Sequence, residues 1–153
     1  MEIGDRCPEA SPAAYDDPPM TKRVRVPDIV AAKGKRRVAC LTAYDAPTAR
    51  IVDEAGIDLI LVGDSAGTVV QGKADTLAVT MEQMRYHVRC VAPAAARALV
   101  VADMPFASYQ PDDATAVANA SAFLADGAAA VKLEGGRRRR AGSARSSSGG
   151  SRS

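Results

Sequence analysis

The sequence lacks tryptophan and is poor in other aromatic and reactive residues, with two phenylalanines, one histidine and three cysteines among 153 residues. With so few large rings, the core of a chain that is 47% hydrophobic must come from alanine, valine, leucine and isoleucine. The one histidine, His87, stands among Tyr86, Val88 and Arg89 in a helical pattern. We therefore interpret His87 as structural and not as part of a Ser–His–Asp or Cys–His mechanism.

Long apolar runs and a secretory signal are also missing. No run approaches the ~20 apolar residues that a helix needs to cross a bilayer, and residues 1–20 lack a basic start followed by an apolar centre. The cysteines, Cys7, Cys40 and Cys90, are odd in number and far apart, which argues against disulfides and zinc. We predict reduced thiols in a cytoplasmic protein, with Cys40 and Cys90 in the core.

The charge of the chain is unevenly distributed. Residues 137–153 hold six arginines and no acid, so the other 14 basic residues face 18 acidic ones. The main body is therefore mildly acidic, and we expect neither a nucleic-acid partner nor a membrane partner.

The two ends differ in composition from the middle. Residues 1–20 are rich in proline and acids and predict a disordered leader. Residues 137–153 contain only arginine, serine, glycine and alanine, which predicts a disordered tail. We interpret this tail as an aberrant end that replaces the second half of a barrel, and a solvated basic tail is the alternative. The DNA downstream of the Gly135 codon would decide between them.

Between these ends, apolar runs alternate with helical patterns. The predicted strands are 37–42, 59–62, 99–102 and 129–133, and the predicted helices begin near Asp45, Thr80 and Pro111, with a further short helix after Pro27. The resulting β-α-β-α-β-α-β order predicts an α/β fold with a parallel sheet and right-handed crossovers.

Local signals predict where these helices begin, end and face the core. Asp45 is a predicted N-cap, Thr80 and Gln83 form a capping-box pattern, and Pro93 is expected to end the second helix. Two apolar stripes follow from helical spacing: Met81, Met84, Val88 and Val91 in the second helix, and Val117, Ala120, Ser121 and Leu124 in the third.

Three acids each follow one of the predicted strands. Asp64, Asp103 and Glu134 stand where the carboxyl ends of the strands would lie, which is the functional edge of parallel α/β folds. Singly, each could be a helix cap or a solvated loop acid. Together they predict a site for a hard cation such as Mg²⁺ or an acid/base site, because adjacent carboxylates need a compensating charge.

Two further residues border these acids. Lys132 and Glu134 are two residues apart, so their side chains would lie on the same face of a strand. Lys132 therefore either forms an ion pair with Glu134 or binds a substrate carboxylate. Ser65 follows Asp64, and its hydroxyl and N–H either belong to an ordinary turn or hold an anion.

With their neighbours, these residues resemble the ketopantoate hydroxymethyltransferase family from about Lys22 to Gly136. The similar stretches, in order, are Leu41-Thr42-Ala43-Tyr44-Asp45, Leu61-Val62-Gly63-Asp64-Ser65, Val70-Gln71-Gly72, Ala102-Asp103-Met104-Pro105-Phe106 and Val131-Lys132-Leu133-Glu134-Gly135-Gly136. The resemblance implies a (β/α)₈ TIM barrel, of which residues 21–136 would form the N-terminal half.

The resemblance also implies the chemistry and the site residues. The family transfers a hydroxymethyl group from 5,10-methylenetetrahydrofolate to 3-methyl-2-oxobutanoate, giving 2-dehydropantoate for pantothenate biosynthesis. By this likeness, Asp64, Asp103 and Glu134 would hold Mg²⁺. The keto acid would contact Asp64, Ser65, Asp103 and Lys132. Homo-oligomers are the family's usual state.

The resemblance places the general base, a glutamate, on a later strand, so we expect no catalytic residue in this chain. Two alternatives remain open. One is an Mg²⁺-dependent 2-oxo-acid enzyme of the phosphoenolpyruvate mutase and isocitrate lyase type. The other is a non-catalytic fragment that acts by association or has no function.

Overall fold

A four-stranded parallel sheet lies at the centre of the computed structural model, which describes residues 22–135. Its strands, paired in chain order, are β1 (Cys40–Thr42), β2 (Leu59–Val62), β3 (Leu99–Asp103) and β4 (Ala130–Lys132). Every neighbouring pair is parallel. The predicted parallel α/β sheet is therefore confirmed, while the predictions for residues 1–20 and 137–153 lie outside the described residues.

Helices precede and connect these strands. They are α1 (Val26–Ala32), α2 (Ala46–Glu54), α3 (Ala66–Val69), α4 (Met81–Val91) and α5 (Asp113–Ala125). The predicted crossover helices are α2, α4 and α5, whereas α3 is an additional turn in a segment that was expected to be loop. Across residues 22–135, none of the helices is long and apolar enough to cross a membrane.

The helix boundaries follow the local signals. Asp45 accepts a hydrogen bond from the Thr48 N–H at 2.8 Å, which caps α2. Thr80 and Gln83 form both bonds of the predicted capping box at the start of α4. Each cap satisfies an N–H that the helix cannot, a contribution of about 1 kcal/mol. Pro93 lies in a 3₁₀ turn directly after α4, so the predicted end of that helix is also confirmed.

The core fills the space between one sheet face and the crossover helices. Ile60 and Val62 of β2 are fully buried, as is Val100 of β3. From α4, the side chains of Met84, Val88 and Val91 are fully buried, as the helical stripe predicts, while Met81 is partly buried at its margin.

The predicted stripe of α5 is wrong at Val117, Ser121 and Leu124. Val117 and Leu124 are 64% and 50% exposed, whereas Phe123 is fully buried. Ala120 packs beside the core as predicted, together with Ala116. The helix is alanine-rich, so its apolar residues stand on every face and only the one large ring decides which face is buried.

The prediction of two core cysteines is also wrong. Cys40 is exposed and Cys90 is only partly buried, and both are free thiols. Cys40 lies on β1, which is an edge strand with all three residues exposed. An apolar residue at a sheet edge is buried only where another element covers that edge.

An ionic cluster around Asp58 connects the start of β2 to the segments before β1 and β3. Arg36 donates to both Asp58 oxygens, at 2.7 and 3.0 Å. The Ala39 N–H donates to the same carboxylate at 3.1 Å, and Arg97 lies 3.5 Å away. The hydrogen bonds from Arg36 hold the pKa of Asp58 below its usual range, although burial opposes them.

This cluster predicts a pH-dependent stability. Because the folded-state pKa of Asp58 is below its unfolded value of ~3.9, its stabilisation is complete above that pH and is lost as the pH falls through the folded-state pKa. We expect Asp58→Asn to lower the urea midpoint at neutral pH, and the difference from wild type to shrink below about pH 4. The exposed Glu54 provides the control, Glu54→Gln. A difference for Asp58→Asn that stayed constant down to about pH 2 would contradict this role.

Candidate functional site

The five predicted site residues gather at the carboxyl edge of the sheet. Asp103 and Lys132 are the last residues of β3 and β4 and are register partners. Asp64 and Glu134 each stand two residues past the end of β2 and β4, and Ser65 follows Asp64. Parallel pairing brings these strand ends together, as the sequence predicted.

Lys132 connects two of the acids. Its Nζ donates to Asp103 Oδ2 at 2.6 Å and to Glu134 Oε1 at 3.3 Å. The Asp103 side chain is 5% exposed, whereas that of Glu134 is 76% exposed. The ion pair with Glu134, one of the two interpretations of Lys132, is therefore present, but its shorter contact is with Asp103.

The charges at this edge are unbalanced. Burial raises the pKa of the Asp103 carboxyl, and the charges of Asp64 and Glu134 add to this rise, while the hydrogen bond from Lys132 opposes it. Burial works against the charge of Lys132, but the hydrogen bonds and charges of Asp103 and Glu134 outweigh it and raise the Lys132 pKa. The two rises have different main causes: burial for Asp103, and the contacts with Asp103 and Glu134 for Lys132.

Two of these acids border a small cavity. Its volume is about 110 Å³, and Asp64 and Glu134 line it together with Tyr109 and Phe106. Tyr109 accepts a hydrogen bond from the Glu134 N–H at 3.3 Å, which ties the β3–α5 loop to the segment after β4. The recess therefore has acidic walls and one apolar side, and its volume is below the ~300–1,000 Å³ of a typical ligand pocket.

The residues fit a hard divalent cation in donor type and in charge. Asp64, Asp103 and Glu134 offer only carboxylate oxygens, which Mg²⁺ prefers, and their negative charge exceeds that of the one lysine. As they stand, no three His, Cys, Asp or Glu side chains within residues 22–135 are grouped closely enough to coordinate an ion. The cation that Asp103 and Glu134 contact in the structure is the Lys132 ammonium.

Sequence reasoning gave no role to Tyr44, which the structure brings to the site. Its hydroxyl lies 2.7 Å from Ser65 Oγ, and its backbone carbonyl accepts a hydrogen bond from His87 Nδ1 at 2.8 Å. One signal could have found it, because Tyr44 stands two residues past β1, as Asp64 does past β2. His87 is 8% exposed and bonded to the backbone, in agreement with a structural role.

Comparison of sequences identifies relatives of this chain. Residues 23–146 match the sequence model of the ketopantoate hydroxymethyltransferase family. The 3-methyl-2-oxobutanoate hydroxymethyltransferase of Staphylothermus marinus is 54% identical over 75% of this chain and 42% of its own length. The enzyme of the same name from Syntrophobacter fumaroxidans is 56% identical over 78% of this chain and 43% of its own. The chain thus spans less than half the length of these relatives.

Comparison of structures finds the same fold in other proteins. Phosphoenolpyruvate phosphomutase from Streptomyces platensis aligns with a TM-score of 0.57 at 23% identity, over 67% of this chain and 35% of that one. Phosphonopyruvate hydrolase, solved with oxalate and Mg²⁺, aligns with a TM-score of 0.57 at 17% identity and with the same coverage. At these identities the likeness shows the fold alone, and the partial coverage fits half of a TIM barrel.

Proposed function

Since the chain belongs to the ketopantoate hydroxymethyltransferase family, we propose that its strand-end residues form the Mg²⁺ and keto-acid site of a hydroxymethyl transfer. The reaction would carry the one-carbon unit of 5,10-methylenetetrahydrofolate to 3-methyl-2-oxobutanoate and give 2-dehydropantoate. The chain spans less than half of its relatives, so the whole reaction is part of this proposal.

One observation carries the proposal most strongly. The buried Asp103 contacts a lysine at 2.6 Å at the carboxyl edge of a parallel sheet, and two further acids add to an uncompensated negative charge. A structural ion pair needs one acid for one base. The excess of carboxylates supports a site that gains a cation, because like charges at close range are costly otherwise.

Each residue then has a chemical role. Asp64, Asp103 and Glu134 would hold Mg²⁺, which when bound supplies positive charge to the 2-oxo group and acidifies the adjacent C–H bond. Lys132 would pair with the carboxylate of the keto acid. Ser65 would donate to an oxygen of the same substrate, and Asp64 and Asp103 would border it.

Other parts of the reaction are not assigned to residues 22–135. The family resemblance places the general base on a later strand. The expected homo-oligomer and cytoplasmic location stay predictions.

The alternative is a 2-oxo-acid enzyme of the phosphoenolpyruvate mutase and isocitrate lyase type. Its fold is shared, and one fold relative was solved with oxalate and Mg²⁺. The sequences favour hydroxymethyl transfer, since identity is 54–56% to the hydroxymethyltransferases but 17–23% to these fold relatives.

Calorimetric titration of the purified 153-residue chain tests the proposal. We expect 3-methyl-2-oxobutanoate to bind in the presence of Mg²⁺ and to lose at least about tenfold in affinity with EDTA, a difference of ~1.4 kcal/mol. The matched ligand is 3-methylbutanoate, which keeps the carboxylate and branched chain but lacks the 2-oxo group, and it should bind weakly in both conditions.

Two results would count against this function. Equal keto-acid affinity with Mg²⁺ and with EDTA would remove the proposed metal role. Tighter binding of oxalate or phosphonopyruvate than of 3-methyl-2-oxobutanoate would favour the alternative enzyme class. Formation of 2-dehydropantoate after addition of 5,10-methylenetetrahydrofolate, followed by NMR, measures in the same samples whether this chain completes the reaction.

A further inference from the structure

The hydroxyl of Ser65 is held by a residue from a different loop. Tyr44 lies between β1 and α2, whereas Ser65 lies between β2 and α3. Their side-chain oxygens are 2.7 Å apart, and they are separated by 21 positions in the chain. The contact therefore depends on the parallel pairing of β1 with β2, which brings the two strand ends side by side.

A second feature leaves room for the same hydroxyl. A Cβ added to Gly63 would lie 2.8 Å from Ser65 Oγ, closer than real Cβ atoms come to other heavy atoms. The side chain of Ser65 thus occupies space that only a glycine at position 63 leaves open. In that space the serine oxygen lies within hydrogen-bond distance of the Tyr44 hydroxyl.

Tyr44 is itself fixed from two sides. Its carbonyl accepts from His87 Nδ1 at 2.8 Å, and its ring meets the His87 ring edge-on with centroids 6.0 Å apart. The preceding Ala43 N–H donates to the Leu61 carbonyl at 3.3 Å, and the following Asp45 caps α2. An anchored backbone on both sides leaves the phenol little freedom to turn away from Ser65.

We propose that Tyr44 is the positioning residue that orients the Ser65 hydroxyl towards the keto acid. The inference rests on the proposed function, since it requires that Ser65 donates a hydrogen bond to a bound keto acid. Either hydroxyl could be the donor of this contact. In the proposed arrangement the Tyr44 phenol donates to Ser65 Oγ, which leaves the serine proton free to be donated to a substrate oxygen. A donor that is already hydrogen-bonded in this way is polarised and pre-organised for the next bond.

A double-mutant cycle on keto-acid binding tests the proposal. Tyr44→Phe keeps the ring contact with His87 and removes only the hydroxyl. In the presence of Mg²⁺ we expect this variant to bind 3-methyl-2-oxobutanoate about three- to tenfold more weakly, the loss of one hydrogen bond. Ser65→Ala should lose at least as much, and the double variant should bind no more weakly than Ser65→Ala, because Tyr44 acts only through that serine.

Controls separate positioning from general stability. Tyr86→Phe removes a hydroxyl from the other tyrosine beside the His87 ring and should leave binding unchanged. Urea midpoints measured for all variants show whether a loss of folding explains a loss of affinity. A structural effect of Tyr44→Phe would persist when Ser65 is already alanine.

The outcomes are distinct. Wild-type affinity in Tyr44→Phe, or losses that simply add in the double variant, would overturn the positioning role while the proposed function stands. If the wild-type chain fails to bind the keto acid with Mg²⁺, the proposed function fails, and the positioning role falls with it. If the losses of Tyr44→Phe and Ser65→Ala do not add in the double variant and Tyr86→Phe binds as wild type, the positioning role of Tyr44 is established.

Discussion

Replacing Asp103 with asparagine is expected to weaken Mg²⁺-dependent binding of 3-methyl-2-oxobutanoate by about 100-fold or more. Mutation of a residue that only hydrogen-bonds to a metal ligand typically costs about 10- to 100-fold in metal affinity or activity, and loss of a ligand itself should cost more. Asp103 is the buried acid of the group and the nearest partner of Lys132. The amide keeps the size of the side chain and removes its charge. Calorimetric titration with and without Mg²⁺ measures the change.

The same experiment needs a matched acid and a check of folding. Asp113 is exposed in the first turn of α5, so Asp113→Asn makes an identical chemical change away from the site and should bind as wild type. If Asp103→Asn unfolds, Glu134→Gln changes an acid that is 76% exposed and should also weaken the Mg²⁺-dependent affinity. If neither Asp103→Asn nor Glu134→Gln changed the keto-acid affinity, these carboxylates would not belong to the proposed site.

Replacing Asp53 with alanine is expected to lower the free energy of unfolding by about 1–3 kcal/mol, because the buried Ala98 N–H loses its acceptor and an unpaired buried donor costs about that much. Asp53 is 9% exposed near the end of α2. Its carboxylate accepts the backbone N–H groups of Ala96, Arg97 and Ala98, in the segment that leads into β3. Truncation leaves all three donors without this acceptor.

Urea unfolding of the wild type and three variants tests this role of Asp53. Asp53→Asn retains one carbonyl oxygen and should lose less stability than Asp53→Ala. The adjacent Glu54 is exposed, so Glu54→Ala should change stability by less than about 0.5 kcal/mol. An Asp53→Ala variant as stable as Glu54→Ala would show that solvent or a shifted backbone satisfies the three donors.

Asp53 also illustrates what could not be read from the sequence. It stands in an amphipathic helix beside Glu54, and nothing in the local pattern separates the two acids. The difference arises because the segment before β3 returns to the end of α2, where its N–H groups have no partner in the sheet. Only the path of the chain in three dimensions makes one acid essential and its neighbour dispensable.

Helix α5 and strand β1 show the same limit for apolar residues. Val117 and Leu124 satisfied a helical spacing, yet Phe123 occupies the core. Cys40 belonged to an apolar run, yet its strand lies at the sheet edge. Periodicity reports which residues could share a face, but burial depends on whether another element covers that face.

The sequence by itself determined the βα order, the helix caps and the placement of Asp64, Asp103 and Glu134 after strands, because these depend on neighbours a few residues away. The tertiary structure alone decided that Lys132 contacts Asp103 and that Tyr44 meets Ser65. Such contacts require the register of parallel strands whose residues are far apart in the chain. Distances of 2.6 and 2.7 Å depend on that register and on the rotamers that packing allows, which no local pattern encodes.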